Sequence, residues 1–231
     1  MKIDGLAIAA NALRYWERRQ EVVSNNLANV STTGFKAERV FARLVEDAAP
    51  AAEAMTDVRA GTMRETGNAL DLASGNGGFF VVATPNGERL SRGGSFRPDD
   101  SGRLVDASGN ALLAEDGPVL LPKGGEVSID QAGVVKVDGR TVAKLRMESV
   151  PQGTRLQHDA GGLFLPDASR RPLADELRAA KQGFLEESNV SAVGEMVDMI
   201  QIQRTYASVQ QVIRTLDDVR GTIATSLSKV T

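Results

Sequence analysis

The sequence predicts an α+β protein in which long N- and C-terminal helices flank a compact antiparallel β domain. Three observations carry this. Glycine and proline cluster in the middle, apolar residues recur at steps of three and four at both ends, and the spacing falls to two between them. Of the 23 glycines, 19 lie in residues 61–183, and all eight prolines lie in residues 50–172. Glycine costs backbone entropy in a helix, and proline lacks the N–H that a helix needs. The chain therefore divides into a helix, a turn-rich middle and a second helix.

The first helix carries Ile3, Leu6, Ala10, Leu13, Trp16, Gln20, Val23, Leu27 and Val30, the stripe of an amphipathic helix. Thr32, Thr33 and Gly34 are expected to end it, Gly34 in the left-handed conformation at C′. The last helix is more regular. Met199, Ile202, Tyr206, Val209, Ile213, Leu216, Arg220, Ile223 and Leu227 alternate by three and four, with only Arg220 breaking the apolar run. A seam kept for about four heptads favours coiled-coil-like pairing. A second apolar line, Val193, Met196, Val197 and Ile200, widens the face near its start. Asn189 or Ser191 is the expected N-cap. Two helices that pair only with each other bury one side each, so this second line points to further partners.

Between the helices, Gly78 to Ala83 reads as a buried strand. Gly102 to Val105, Ala111 to Leu113, Val119 to Leu121, Val127 to Ile129, Val134 to Val137 and Val142 to Met147 follow at short spacing. Phe79, Phe80, Val82 and Phe96 are expected to share one core with Leu104 and Leu112. The domain plan is an N-terminal helix over 1–34, an extended connector over 35–65, the β domain over 66–183 and a C-terminal helix over 184–231.

Composition narrows the function. At 231 residues the chain can bury a core, and a net charge of -3 with a pI near 5.4 lacks the basic face of a nucleic-acid binder. No apolar run approaches the ~20 residues of a membrane span, so no membrane insertion is expected. The first residues do not resemble a cleaved signal peptide, since Asp4 follows Lys2 closely and the apolar run stops at Asn11. Without cysteine there is no disulfide, thiolate nucleophile or Cys-ligated metal.

Catalytic candidates are few. His158 is followed directly by Asp159, and sequence neighbours do not form the oriented pair of a triad; a solvent-exposed loop histidine is expected. Gly75-Asn76-Gly77-Gly78 precedes a strand where a phosphate loop would open a helix, so it reads as a tight turn. Asp99-Asp100-Ser101-Gly102 reads as a hairpin turn held by Asp side-chain hydrogen bonds. The chain is not expected to be an enzyme, and no catalytic, metal-binding or cofactor-binding residue stands out.

Three blocks resemble the bacterial flagellar basal-body rod and hook proteins. The first runs from Ser24 to Lys36 and ends in Thr32-Thr33-Gly34-Phe35-Lys36. The second comprises Thr66 to Ala73, Gly77 to Phe80 and Ser91 to Phe96. The third comprises Glu187-Ser188-Asn189-Val190, Glu195 to Ile200 and Gln203 to Tyr206. Together they span almost the whole chain in order. Within the family the proximal-rod branch is the better match, because the β region is short, and the distal rod is the alternative.

The resemblance implies a structural subunit exported through the flagellar export apparatus without a cleaved signal. It would assemble helically in the periplasmic basal body, with copies of itself and other rod proteins as partners. The expected assembly interface is Leu13, Trp16, Val23, Leu27 and Val30 of the first helix with Met199, Ile202, Tyr206, Val209, Ile213, Leu216, Ile223 and Leu227 of the last. An unpaired apolar stripe returns little on the entropy of ordering a helix. The two ends are therefore expected to be mobile in the isolated chain and helical once assembled. A wall-acting hydrolase and a monomeric secreted adhesin are the alternatives from other classes. The first needs a pair of carboxylates with separated pKa values; the second leaves the C-terminal seam unexplained.

Overall fold

A computed structural model describes residues 5–45, 48–151, 154, 156–166 and 168–227. They form an α+β fold with one helix near each end and antiparallel sheets between. The chain folds as two units. One draws on segments 1–28, 38–55 and 191–231, and the other on 29–37 and 56–190.

The first unit pairs helix α1 (Gly5–Ala28) with helix α2 (Ala192–Leu227). Glu17 meets Tyr206 and Arg19 meets Asp198, while Gly5 lies beside Leu216, so the helices run antiparallel. Each stripe thus has a partner within one chain. The expectation of mobile ends counted no such partner. At 1.5 Å per residue, the 36 residues of α2 extend about 54 Å. The strands Glu38–Val45 and Ala48–Thr56 complete this unit as a two-stranded sheet. The stretch the sequence reads as a connector thus contributes paired strands over Glu38–Val45 and Ala48–Thr56.

The end of α1 differs from the expectation, whereas α2 is capped by one of the two residues expected there. α1 stops at Ala28, and the next turn is closed by the Thr32 N–H on the Asn29 carbonyl. Gly34 does take a left-handed φ of 71°, yet its N–H is donated to the Glu186 carbonyl and not to the helix. A side chain there would also crowd Arg92 Cβ at 3.2 Å. Ser191 caps α2: its hydroxyl accepts the Gly194 N–H and its carbonyl the Glu195 N–H. Asn189 is freed for another task.

The second unit is built from short antiparallel strands. Among the described residues, the largest sheet has ten strands. At its centre Phe79–Thr84 pairs with Gly87–Ser91 on one side and with Ala111–Ala114 and Met147–Ser149 on the other. Neighbouring residues of a strand face opposite ways, so Phe79 and Phe80 enter different cores. Phe80, Val82, Phe96, Leu104 and Leu112 share the larger one, as expected. Phe79 instead joins Val81, Leu90 and Phe164 in a second cluster.

The turns are held as their residues lead one to expect. Asp99 accepts the Ser101 and Arg103 N–H groups on one carboxylate oxygen, and its carbonyl accepts the Gly102 N–H. Asp106 with Gly109 repeats the arrangement, and Asp130 with Gly133 keeps it with one backbone N–H, that of Val134, on the carboxylate. An Asp that bonds backbone ahead of it, with a Gly free to take positive φ, fits such a turn. Asn76 (φ 50°) and Gly77 (φ 74°) form the centre of the turn that Gly78 N–H closes on the Gly75 carbonyl. His158 departs from the expectation of an exposed loop. It lies half-buried in the strand His158–Asp159, stacked on Phe35 at 4.8 Å and tilted against Phe164 at 4.9 Å.

Within this unit the two segments that flank the sheets are fastened together. Lys36, Arg92 and Glu186 are fully buried. Glu186 bonds Lys36 through Oε1 and Arg92 Nε through Oε2 at 2.9 Å, and its Oε1 also accepts the Gly61 N–H at 2.8 Å. Lys36 donates further to the Arg59 carbonyl, and Arg92 to those of Gly78 and Ser74. Burial holds the Lys36 ammonium below the usual lysine range, against the pull of Glu186. Asn189 adds a second fastening. Its side chain accepts the Ala37 N–H at 2.7 Å and donates to the Asp57 and Arg59 carbonyls.

Candidate functional site

Among the described residues no group of His, Asp and Glu is placed to hold a metal ion, and no helix is long and apolar enough to cross a membrane. The candidate site is the helix surface of the first unit, where apolar residues are both paired and left over.

The expected interface residues fall into three groups. Val23 on α1 and Ile202 on α2 are buried, Ile202 completely. Leu13, Trp16 and Leu27, with Met199, Tyr206, Val209, Ile213 and Leu216, are half-buried. Val30 is also half-buried but lies past the end of α1, in the segment that belongs to the other unit. The side chains of Ile223 and Leu227 lie outside the described residues. The described residues of the α2 seam, and those of the α1 stripe up to Leu27, thus lie on the two helices of one intrachain pair. Val22 and Ala9 join the buried side of α1, two positions outside the stripe drawn from the sequence.

Polar contacts line the edges of this pairing. The Tyr206 hydroxyl donates to Glu17 Oε1 at 3.0 Å, and that hydrogen bond pushes the phenol above its usual range. Arg19 lies 3.7 Å from Asp198 and over the Trp16 ring at 5.3 Å. Asn26 is buried, and its side chain mimics a strand partner: it accepts the Glu38 N–H and donates to the Glu38 carbonyl, both at 2.9 Å.

What the pairing does not cover is the second apolar line. Val193, Met196, Val197 and Ile200 are 47–74% exposed. At about 100° per residue, they occupy the side of α2 away from Ile202. Val212 and Val219, each about half exposed, extend apolar surface further along the helix. Scattered exposed apolar residues are ordinary, but four within two turns of one helix form a contiguous patch of the kind that marks contact sites.

Glu195 sits at the margin of this surface, half-buried near Asn26 and Asp198. Burial raises its carboxyl above the usual range, and Asp198 adds to the rise against the Asn26 hydrogen bond and the charges of Arg39 and Arg19. A raised folded-state pKa means that the folded unit holds this proton more tightly than the unfolded chain. Its contribution to stability is complete below the ordinary value of 4.5 and is lost as pH rises through the raised one. Glu195→Gln is therefore expected to raise the melting temperature of the helix pair at pH 7. It should also flatten the pH dependence above 4.5. Trp16 fluorescence reports the transition, and an unchanged pH profile would contradict the assignment.

Comparison with known sequences covers nearly the whole chain. The pattern described as "Flagella basal body rod protein" matches residues 6–36, and "Flagellar hook protein FlgE/F/G D1 domain" matches 74–137. "Flagellar basal body rod FlgEFG protein C-terminal" matches 181–227. Among full-length relatives, the flagellar basal-body rod protein FlgF of Rhizobium meliloti is 31% identical, over 91% of this chain and 92% of the relative. FlgF of Caulobacter vibrioides is 30% identical over 92% and 93%. The rod protein FlgG of Agrobacterium fabrum is 28% identical over 96% and 98%.

Proposed function

We propose that this chain, which belongs to the flagellar basal-body rod protein family, is its proximal-rod, FlgF-type member. It is a structural subunit of the flagellar rod. The proximal reading rests on length. The FlgF relatives align over 221–229 residues, close to the 231 of this chain, whereas the FlgG relatives require 247–268. A longer alignment means that the FlgG relatives carry residues which this chain lacks.

In this reading the helix pair is the assembly element, joined in a coiled-coil-like way to helices of other copies and of neighbouring rod proteins. The half-buried seam and the exposed line around Val197 supply the apolar area for those contacts. The β region folds as a compact domain with no enzymatic role, and the chain reaches the periplasmic rod through the export apparatus. A rod must carry torque, which favours interlocked apolar helices over the screened ion pairs of a polar surface.

Complementation tests the assignment. In a host lacking its own FlgF the gene is expected to restore swimming, and in a host lacking FlgG it is not. The reverse pattern would make it the distal subunit.

A further inference from the structure

Two cations and one carboxylate meet in the interior of the second unit. Lys36, Arg92 and Glu186 each have side chains that are 0% exposed, and Glu186 bonds both cations. Backbone carbonyls of Arg59, Gly78 and Ser74 take the other donors, and Arg92 also lies over the Phe79 ring at 5.1 Å. The remaining charge that acts on Lys36 is Asp57, which is turned to Arg59. The bonded cluster therefore carries a surplus positive charge in a dry site. Lys36 and Arg92 come early in the chain, and Glu186 lies 150 residues after Lys36.

We propose that closure of this unit is conditional on Glu186: the core cannot be sealed over Lys36 and Arg92 until the strand Phe184–Glu186 brings its carboxylate. Burying two unpaired ammonium and guanidinium groups is far more costly than leaving the sheets open. All the strands of the larger core precede Glu186 in sequence, so apolar burial alone would let them collapse early. The charge cluster holds them back. Because a chain is made from its N-terminus, the unit stays open until nearly the whole protein is available. The device is independent of what the helix pair binds.

Amide hydrogen exchange of the full-length chain at Phe80 and Leu112 reads the closed state. Glu186→Gln leaves two buried cations with no carboxylate, and protection should fall roughly 10²–10³-fold. Lys36→Met leaves a neutral Arg92–Glu186 pair and should cost less than about 10-fold, since removing the surplus cation offsets lost contacts. The combination Lys36→Met with Glu186→Gln carries the same surplus of one as the native cluster. It should regain at least about 10-fold over Glu186→Gln alone. Packing loss without charge control makes the opposite prediction, because two truncations would then add. The proposal is overturned if the double variant is no better protected than Glu186→Gln. It is equally overturned if Lys36→Met costs as much as Glu186→Gln, or if Glu186→Gln keeps its protection.

Discussion

Replacing Val197 and Ile200 together by glutamate should leave the chain folded and abolish rod assembly. Both side chains are about half exposed on the side of α2 turned away from Ile202, so neither supports the intrachain pair. In an assembled rod each would contribute about 1.5–3 kcal/mol by burial, and an unpaired carboxylate in its place costs several kcal/mol more. Two such sites in every subunit exceed what a repeating contact can absorb. Helical circular dichroism of the purified variant should match the native chain, while cells carrying it do not swim. Seam variants should behave differently. Charges at Ile213 and Leu216, which are half-buried in the helix pair, should weaken that pair as well as assembly. Leu177→Glu, a similarly exposed apolar position outside α1 and α2, should leave swimming intact. Normal motility of the Val197/Ile200 variant would remove this face from the assembly.

A fragment of residues 61–183 should fail to fold, whereas residues 29–190 should show a cooperative transition. The sequence places the β domain over 66–183, within the glycine-rich stretch 61–183. The structure adds two flanking segments to the same unit. Cutting at 183 removes Glu186 and Asn189, and starting at 61 removes Lys36, Phe35 and the Arg59 carbonyl. Arg92 would then be buried without a carboxylate, a loss of about 3–5 kcal/mol against a total stability of about 5–15. The strand Met63–Glu65 would lose its partner Phe184–Glu186 as well. Thermal unfolding followed by circular dichroism separates the fragments, and a sharp transition in 61–183 would show that the clasp is dispensable.

What could be read from the sequence follows from how local each signal is. Helix stripes, strand spacing and the Asp-x-x-Gly turns depend on residues close in the chain, and they were legible. An apolar stripe does not name its partner, so the seam from Met199 to Leu216 reads equally well as an interface between subunits or within one. Phe79 and Phe80 are adjacent and equally apolar, and only the pleat sends them to separate cores. Nothing near Lys36, Arg92 or Glu186 in the sequence marks them as buried, and charged residues rarely are. Their partners lie 94 and 150 residues away. Asn26 and Asn189 show the same limit. Each sits in a block that resembles the family, yet only the fold shows that they hold the backbone of Glu38 and Ala37. Asn189 and Ser191 both read as helix caps, since Asn and Ser are common there, and it is Ser191 that performs the task.

The absence of cysteine makes the central claim directly measurable. A single Val197→Cys change introduces the chain's one thiol at a position that is 47% exposed. In the purified monomer a maleimide reagent should modify it rapidly. In basal bodies isolated from swimming cells that carry this variant, the same thiol should be protected, with labelling slowed at least about 10-fold, because a neighbouring helix covers it. Labelling at the monomer rate in the assembled rod would contradict the account.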